Sequence, residues 1–374
     1  MINELGEAVR YIFESMGFVQ LTWQNVVMMF IGGLFVYLGI KYEMEPLLLV
    51  PIGFTSILVN LPATQNLKEF FDIIYHYLIE TEIIPIIIFL GLGALTDFGP
   101  LIANPITFLL GAAAQIGVYV AMLTALAMGF NLQEAASIGI IGGADGPTTI
   151  YITTKLAPHL LGATAVAAYS YMSLVPIIQP PVIRALTTKK ERSVVMKPLR
   201  PVTKTEKILF PIVVALVAIL LVPESAPLIG MLAFGNLLRE CGVTERLSRT
   251  AGNELINIAT IFLGIGVGST MEGTRFLTVS TLEILGLGVL AFASATAGGV
   301  FLGKLMYVLS GGKINPMIGA AGVSAVPMSA RVVQKLGQKE NPQNFLLMHA
   351  MGPNVAGVIG TAVAAGVFIK LLGG

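Results

Sequence analysis

The sequence predicts an all-α polytopic membrane protein built as two inverted-topology repeats, each carrying a broken or re-entrant helical segment. Three observations predict it. The first is composition: 55% of the 374 residues are hydrophobic, 11% are charged and the mean hydropathy is +0.83, whereas a soluble domain carries roughly 25% charged residues. The second is a succession of apolar stretches along the whole chain. The third is a matched pair of Gly/Pro-interrupted stretches, in which Ile138, Gly139, Gly142 and Pro147 recur as Ile318, Gly319, Gly322 and Pro327 at a constant offset of 180. Paired breaks at corresponding places are the pattern of secondary transporters with repeated halves.

In chain order, residues 1–20 carry Glu4, Glu7, Arg10 and Glu14 ahead of any apolar run, unlike the basic start and short core of a cleaved signal peptide. Residues 23–40 then read as the first span, within an N-terminal segment 1–46. Repeat 1 covers 47–183, with apolar stretches at 47–61, 83–95, 106–130, 137–150 and 160–183. A linking region, 184–227, combines a basic loop with a span at 208–222. Repeat 2 covers 228–374, with stretches at 228–238, 258–267, 282–309, 314–326 and 345–372. A helix needs about 20 residues to cross the hydrocarbon, so the shorter stretches are tilted, extended by their flanks, broken or re-entrant.

Positive charge orients the halves. Residues 184–207 hold Arg184, Lys189, Lys190, Arg192, Lys197, Arg200, Lys204 and Lys207, eight of the 22 Lys and Arg residues, which places this loop in the cytoplasm. Counting back, 155–159 lies outside, and so does the loop 62–82, whose one Lys or Arg is Lys68. Both lie outside only if the Asp145 segment enters and returns. Counting forward, Arg239, Arg246 and Arg249 fall inside, as does the loop with Arg331, Lys335 and Lys339 if 314–326 returns to its own side. The second half is then inverted.

The run SIGIIGGADGPTTIYI places Asp145 among apolar residues, where an ionised side chain costs about 2.5–3.5 kcal/mol at a helix centre. Gly139, Gly142, Gly143, Gly146 and Pro147 loosen the helix, so freed carbonyl oxygens face inward beside the carboxylate. Such a hard, oxygen-rich cage suits Na⁺, and the same site suits H⁺. The plainer alternative is an interfacial aspartate capping a helix that starts at Thr148, with DGP as a turn. The sister segment offers neutral oxygens from Asn315, Ser324 and Ser329 near Gly319, Gly322 and Pro327, and Asn354 lies beside another Gly-Pro break. Each also fits a cap or an interhelical hydrogen bond. Tyr171 reads as a satisfied buried hydroxyl or as a proton-handling group. Arg331 reads as a cytoplasmic anchor or as a carboxylate-binding group at the mouth of a pathway.

The remaining signals exclude more than they assign. His76, His159 and His349 lack metal-ligand spacing, and Asp97 falls in a loop or helix end. The single cysteine, Cys241, excludes an intramolecular disulfide framework and reads as a packing residue. Gly299 and Gly303 form a GxxxG packing motif. There is no GxxxxGK[ST] loop, so ATP is not the evident energy source. A formal charge of +1 without a basic, aromatic-laced stripe speaks against nucleic-acid binding.

The stretches IGGADGPTTIYITTKLAP, AAYSYMSLVPIIQPP and NPMIGAAGVSAVPMSARV strongly resemble the beta subunit of the sodium-translocating, biotin-dependent decarboxylases, and the resemblance covers nearly the whole chain. That family includes oxaloacetate, methylmalonyl-CoA, glutaconyl-CoA and malonate decarboxylases. The resemblance implies a subunit that decarboxylates carboxybiotin presented by a separate biotin carrier subunit, consumes a proton and exports Na⁺. It implies a carboxyltransferase alpha subunit, a small membrane gamma or delta subunit and the biotin carrier domain as partners in an oligomeric complex. The location implied is a bacterial or archaeal cytoplasmic (inner) membrane. The family's functional positions fall on Asp145, Tyr171, Asn315, Gly319, Ser324, Arg331 and Asn354. By resemblance, Asp145, Asn315, Gly319, Ser324 and Asn354 make the Na⁺ site. By the same resemblance, Tyr171 with Ser324 or Asp145 passes the proton, and Arg331 approaches carboxybiotin. An elevator-like movement of a core against a scaffold is also implied. The compact length resembles the acyl-CoA branch more than the longer oxaloacetate branch. On bare physics, the residues equally fit an Na⁺- or H⁺-coupled secondary transporter of a carboxylate, with Arg331 holding substrate.

Overall fold

The structure, a computed structural model, describes Tyr11, Glu14 and residues 16–62 and 64–373. Glu4, Glu7 and Arg10 lie outside the described residues. The helices are α1 (Trp23–Tyr42), α2 (Pro46–Val59), α3 (Gln65–Ile79), α4 (Ile83–Leu95), α5 (Pro105–Ala127), α6 (Leu132–Gly139) and α7 (Gly146–Leu156). They continue as α8 (Pro158–Leu186), α9 (Lys204–Leu221), α10 (Ala226–Glu240), α11 (Glu245–Ser269), α12 (Val279–Leu309), α13 (Met328–Glu340) and α14 (Leu347–Leu372). No strand occurs among the described residues. Six of these helices, α1, α5, α8, α11, α12 and α14, are long and apolar enough to cross a membrane, and α3 with α4 adds a seventh if counted as one bent span. The protein is therefore an all-α polytopic membrane protein.

Local chemistry sets the helix starts. Thr22 with Asn25, Asn131 with Glu134, and Thr203 with Glu206 each form reciprocal capping boxes, so α1, α6 and α9 begin where two orphan donors find side-chain oxygens. Pro46, Pro105 and Pro158 open α2, α5 and α8, where a missing N–H leaves nothing unsatisfied.

The chain packs as two compact units, residues 1–84 with 260–282, and residues 85–259 with 283–374. In the first, α1 and α2 cross at Gly32 and Gly53, where a Cβ on either residue would fall 2.5 Å from the other's carbonyl oxygen. Asn60 ties the same unit together, donating to the Met271 carbonyl and accepting from the Gly273 N–H, each at 2.8 Å. In the second unit, α5 and α12 cross through small residues. A Cβ on Gly117 would lie 2.5 Å from the Ala291 carbonyl, and one on Gly298 2.6 Å from the Ala113 carbonyl. Close backbone approach of this kind supplies van der Waals packing where lipid removes most of the hydrophobic drive between helices. The second unit holds both broken segments.

The same order of elements recurs in both halves. A helix (α4, α11) is followed by a short turn of helix (Gly99–Ala103, Gly273–Phe276), a long helix (α5, α12), a broken segment and a long helix (α8, α14). The structure also corrects several expected loops. Residues 62–82 are largely the helix α3, with Phe71, Ile74 and Ile79 buried and Glu69 and Asp72 exposed. Arg246 and Arg249 lie on the first turns of α11, with Arg249 pairing Glu245 at 2.5 Å. Arg331, Lys335 and Lys339 lie on α13, whose Val332, Val333 and Leu336 are buried. Arg184 belongs to the last turn of α8, Lys155 to α7, and Lys189–Arg192 form a short helix. On α3 and α13 the charges sit on the outer face of an amphipathic helix, so charge density alone does not mark a loop.

Candidate cation site at two broken helices

The first break begins where α6 tightens into a 3-10 turn at Ile140–Gly143. Ala144 then takes the left-handed region (φ 58°, ψ 41°), Asp145 is extended, and α7 starts at Gly146 rather than Thr148. Gly142 and Gly143 are poor helix formers, and both sit where a side chain would collide. A Cβ on Gly142 would lie 2.5 Å from the Gly117 carbonyl carbon, and one on Gly143 would overlap Thr361. A non-glycine residue in the left-handed region is uncommon, so Ala144 marks a backbone held in place by its surroundings.

Asp145 has two oxygens with different fates. Oδ1 accepts the Thr148 N–H at 3.2 Å and caps α7, while its main-chain carbonyl accepts from the Thr149 N–H and hydroxyl at 2.9 and 2.8 Å. Oδ2 is buried and has no hydrogen-bond partner. The capping reading thus describes one oxygen and leaves the other unexplained. Asp145 is 4% exposed and is the one Asp, Glu, Lys or Arg in the buried interior among the described residues.

The second break is a 3-10 helix, Pro316–Gly322, followed by an extended Val323, a non-helical stretch through Pro327 and then α13. Ser324 joins it to the first: its N–H donates to the Gly143 carbonyl at 3.1 Å, and its hydroxyl donates to the same oxygen. Asn354 on α14 holds the strand of backbone just before Ser324. Its Nδ2 donates to the carbonyls of Ala321 (3.0 Å) and Val323 (2.8 Å) and to Ser329 Oγ (2.9 Å). Asn354 Oδ1 is buried without a partner, as is Thr148 Oγ1. Asp145, Ser324 and Asn354 are therefore linked through Gly143 and Val323 into one constellation, with a carboxylate oxygen and neutral oxygens uncommitted.

Several residues of this constellation were missed in the sequence. Gln115 interrupts α5: its own N–H bonds Ala112, one residue short of the α-helical acceptor, and its side-chain Nε2 takes over the Gly111 carbonyl at 3.4 Å. The same Nε2 reaches the Gly357 carbonyl at 3.3 Å, and Oε1 meets the Thr361 hydroxyl at 3.3 Å. The signal was present, since Gln115 is the lone amide in FLLGAAAQIGVYV. Tyr169, 1% exposed, lies against Gly146, where any Cβ would overlap its ring. Gln179 donates to the Ala320 carbonyl at 2.9 Å, so with Asn354 the irregular backbone of the second break finds side-chain partners at the Ala320, Ala321 and Val323 carbonyls.

Other expected site residues lie elsewhere. Tyr171 is two residues past Tyr169, roughly 200° around α8, and faces α12. Its hydroxyl donates to the Leu285 carbonyl, and its ring packs on Phe292 and Gly288. Gly319 is packed against Gly299 of α12 so tightly that neither could carry a side chain. Arg331 is exposed on the first turn of α13. Asn315 is fully buried, but its Nδ2 donates to the carbonyls of Arg192 and Val194, each at 2.9 Å, and its Oδ1 accepts the Met317 N–H at 3.0 Å. A 3-10 helix rises about 2 Å per residue, so the seven-residue 3-10 helix that lies between Asn315 and the Val323–Ser324 pair is itself roughly 14 Å long. The side-chain hydrogen bonds of Asn315 thus go to Arg192, Val194 and Met317. Asp97 follows α4, where burial pushes its carboxyl up and the Gly99 N–H (2.8 Å) and Lys207 ammonium (3.2 Å) outweigh that, holding it below the usual range.

Comparison with known families decides the class. The model of the family described as Na⁺-transporting oxaloacetate decarboxylase beta subunit matches residues 24–372. The chain belongs to this family. Among its relatives, the methylmalonyl-CoA decarboxylase subunit beta of Veillonella parvula is 59% identical over 365 residues, covering 98% of each chain. The glutaconyl-CoA decarboxylase subunit beta of Acidaminococcus fermentans is 58% identical over 369 residues, again 98% of each. The oxaloacetate decarboxylase beta chain of Klebsiella pneumoniae is 49% identical over 427 aligned positions, covering 97% of this beta subunit and 99% of the relative.

Proposed function

We propose that this beta subunit decarboxylates carboxybiotin brought by a separate biotin carrier and uses the reaction to export Na⁺. The carbon–nitrogen bond of carboxybiotin breaks, CO₂ leaves, and the ring nitrogen takes up a proton, which is the proton consumed. The observation that carries the reading is the pair of buried, unpartnered oxygens, Asp145 Oδ2 and Asn354 Oδ1, on residues tied to the two breaks that the Ser324–Gly143 hydrogen bonds join. A buried carboxylate oxygen without a partner is costly, and Na⁺ or a proton offsets that cost. One charge surrounded by neutral oxygens matches a monovalent cation, and no three His, Cys, Asp or Glu side chains converge among the described residues.

In this reading Asp145, Ser324 and Asn354 hold the cargo Na⁺, with Thr148 Oγ1 beside them. Gly319 serves the site by letting α12 approach the second break. Arg331, exposed at the start of α13, meets the carboxylate of carboxybiotin with its planar guanidinium. Tyr171 enters a proton route only after its hydroxyl leaves the Leu285 carbonyl. The two halves, 47–183 and 228–374, are inverted repeats, and the basic residues of 184–207 face the cytoplasm of a bacterial or archaeal inner membrane. The higher identity to the methylmalonyl-CoA and glutaconyl-CoA relatives, and alignment to them without the extra length of the oxaloacetate relative, favour an acyl-CoA as the substrate of the partner carboxyltransferase. A small membrane gamma or delta subunit completes the complex.

The test is to reconstitute the assembled complex in sealed vesicles, supply carboxylated carrier or free carboxybiotin, and measure CO₂ release and Na⁺ flux together. CO₂ release that requires Na⁺ and moves it is the expected result. Na⁺ flux indifferent to carboxybiotin would overturn the proposal in favour of a carboxylate transporter.

A further inference from the structure

We infer that Asn315 is a latch rather than a cation ligand: together with Asn341 and Asn344 it grips three consecutive backbone carbonyls, those of Arg192, Ser193 and Val194, and ties the second broken helix to the basic segment between the halves. The inference rests on the cation site proposed at Asp145, Ser324 and Asn354. Residues 194–203 form no helix or strand, so their backbone and that of the turn before them must find partners outside regular secondary structure. Three side-chain amides provide them. Asn315 Nδ2 donates to Arg192 and Val194, Asn344 Nδ2 donates to Arg192 at 3.0 Å, and Asn341 Nδ2 reaches Ser193 at 3.5 Å. The Arg192 carbonyl accepts from two amides at once, which occupies both its lone pairs.

The grip continues on either side. The Arg192 side chain pairs with Glu340, the last residue of α13, at 2.8 Å, with side-chain exposures of only 12% and 15%. It also donates to the Thr187 carbonyl at 2.5 Å. Lys304 on α12 donates to the Leu186 carbonyl at 2.9 Å and lies 3.6 Å from Glu191. Residues 186–194 are thus fastened to α12, to the 3-10 helix and to the end of α13, all parts of the second half.

The same geometry leaves Asn315 little to offer a cation. Both its N–H donors are used, and its oxygen caps the N-terminus of the 3-10 helix, the positive end of that helix. Asp145 also stands at a helix N-terminus but brings a full negative charge and a second, uncommitted oxygen. A neutral amide brings neither. Asn354, in contrast, uses only its nitrogen and leaves Oδ1 uncommitted.

The intact complex in vesicles provides the test, with hydrogen–deuterium exchange of residues 192–200 and the Na⁺ concentration for half-maximal CO₂ release as paired readouts. Asn315→Ala and Asn344→Ala are each expected to speed exchange in 192–200 at least tenfold while moving the Na⁺ requirement less than twofold. Asn354→Ala is expected to raise the Na⁺ requirement at least tenfold with exchange in 192–200 unchanged. If Asn315→Ala instead shifts the Na⁺ requirement as Asn354→Ala does and leaves the segment protected, the latch is overturned. If Asn315→Ala does not assemble, Asn344→Ala and Glu340→Gln decide, and protection retained in both overturns it. Loosening by the Asn315 and Asn344 substitutions alongside an Asn354→Ala variant with normal Na⁺ dependence upholds the latch and sinks the cation site alone.

Discussion

Asp145→Asn separates the two jobs that one side chain performs. The substituted amide keeps an oxygen where Oδ1 now accepts the Thr148 N–H at 3.2 Å, and the flipped orientation would set its NH₂ against that donor. Asn and Asp are equally good helix caps, so the folded protein should lose no more than about 0.5 kcal/mol. Asp145→Ala, which removes the cap as well, should lose about 1 kcal/mol. At the position of Oδ2 the change is larger, because a negative acceptor becomes a neutral donor. A contact to a charged group is worth about 1.5–3 kcal/mol net, and 1.4 kcal/mol is tenfold in affinity, so the Na⁺ concentration for half-maximal CO₂ release should rise roughly 10- to 100-fold. Thermal unfolding of the complex gives the first quantity, and CO₂ release from vesicles across an Na⁺ series gives the second. An Asp145→Asn variant with the Na⁺ dependence of the parent would refute the cation assignment. One with normal coupling and near-parental stability, beside an Asp145→Ala variant that loses about 1 kcal/mol, would show that capping is the whole of its role.

Three further outcomes are expected. Gly146→Ala drives a methyl into the Tyr169 ring and should cost about 1–3 kcal/mol by overpacking. In a Tyr169→Ala background the cost of Gly146→Ala should shrink, read as a double-mutant cycle of thermal melts, and an undiminished cost would mean the strain lies elsewhere. Gln115→Met keeps the shape but removes the partners of the Gly111 and Gly357 carbonyls, so unfolding should shift by about 1–3 kcal/mol. A parental melt would show that the bonds of 3.3–3.4 Å contribute nothing. Glu206 is held down to about 2, from an ordinary 4.5, first by the Arg200 guanidinium and then by the Thr203 N–H and hydroxyl. Its folded value lies below its unfolded one, so its stabilising effect is present above about pH 4.5 and is lost as pH falls toward 2. Arg200→Ala should return the Glu206 titration toward 4.5, read by carboxylate NMR, and an unmoved titration would contradict the assigned cause.

The glycine and proline pattern foretold both breaks because those residues act on the backbone locally, whatever packs around them. Asp145 was legible for the same reason: a charge in an apolar run is conspicuous in one dimension. What stayed hidden depends on rotation and on partners. Tyr169 and Tyr171 differ by two positions in one span, and only the packing of α8 shows which of them meets Gly146. Gln115 was visible as a polar residue, but its role rests on Gly357 and Thr361, more than 240 positions away. Asn315 looked like an oxygen donor for a cation, and only the position of Arg192 and Val194 reveals that its amide is engaged. The loops assigned around Lys68 and Arg331 became helices because charges on an outer face lower a stretch's average apolarity without interrupting its period.

The seven-residue 3-10 helix Pro316–Gly322 is long for its kind, since runs beyond three or four residues are uncommon. An α-helix rises 1.5 Å per residue against about 2 Å here. Rewinding these residues from one form to the other would shorten them by roughly 3.5 Å and turn one end against the other by about 140°. Asn315 is fixed at one end and Ser324 follows the other, so the segment has the mechanics of a screw thread, in which a small change of pitch withdraws Ser324 from the Gly143 carbonyl while the anchored end stays still.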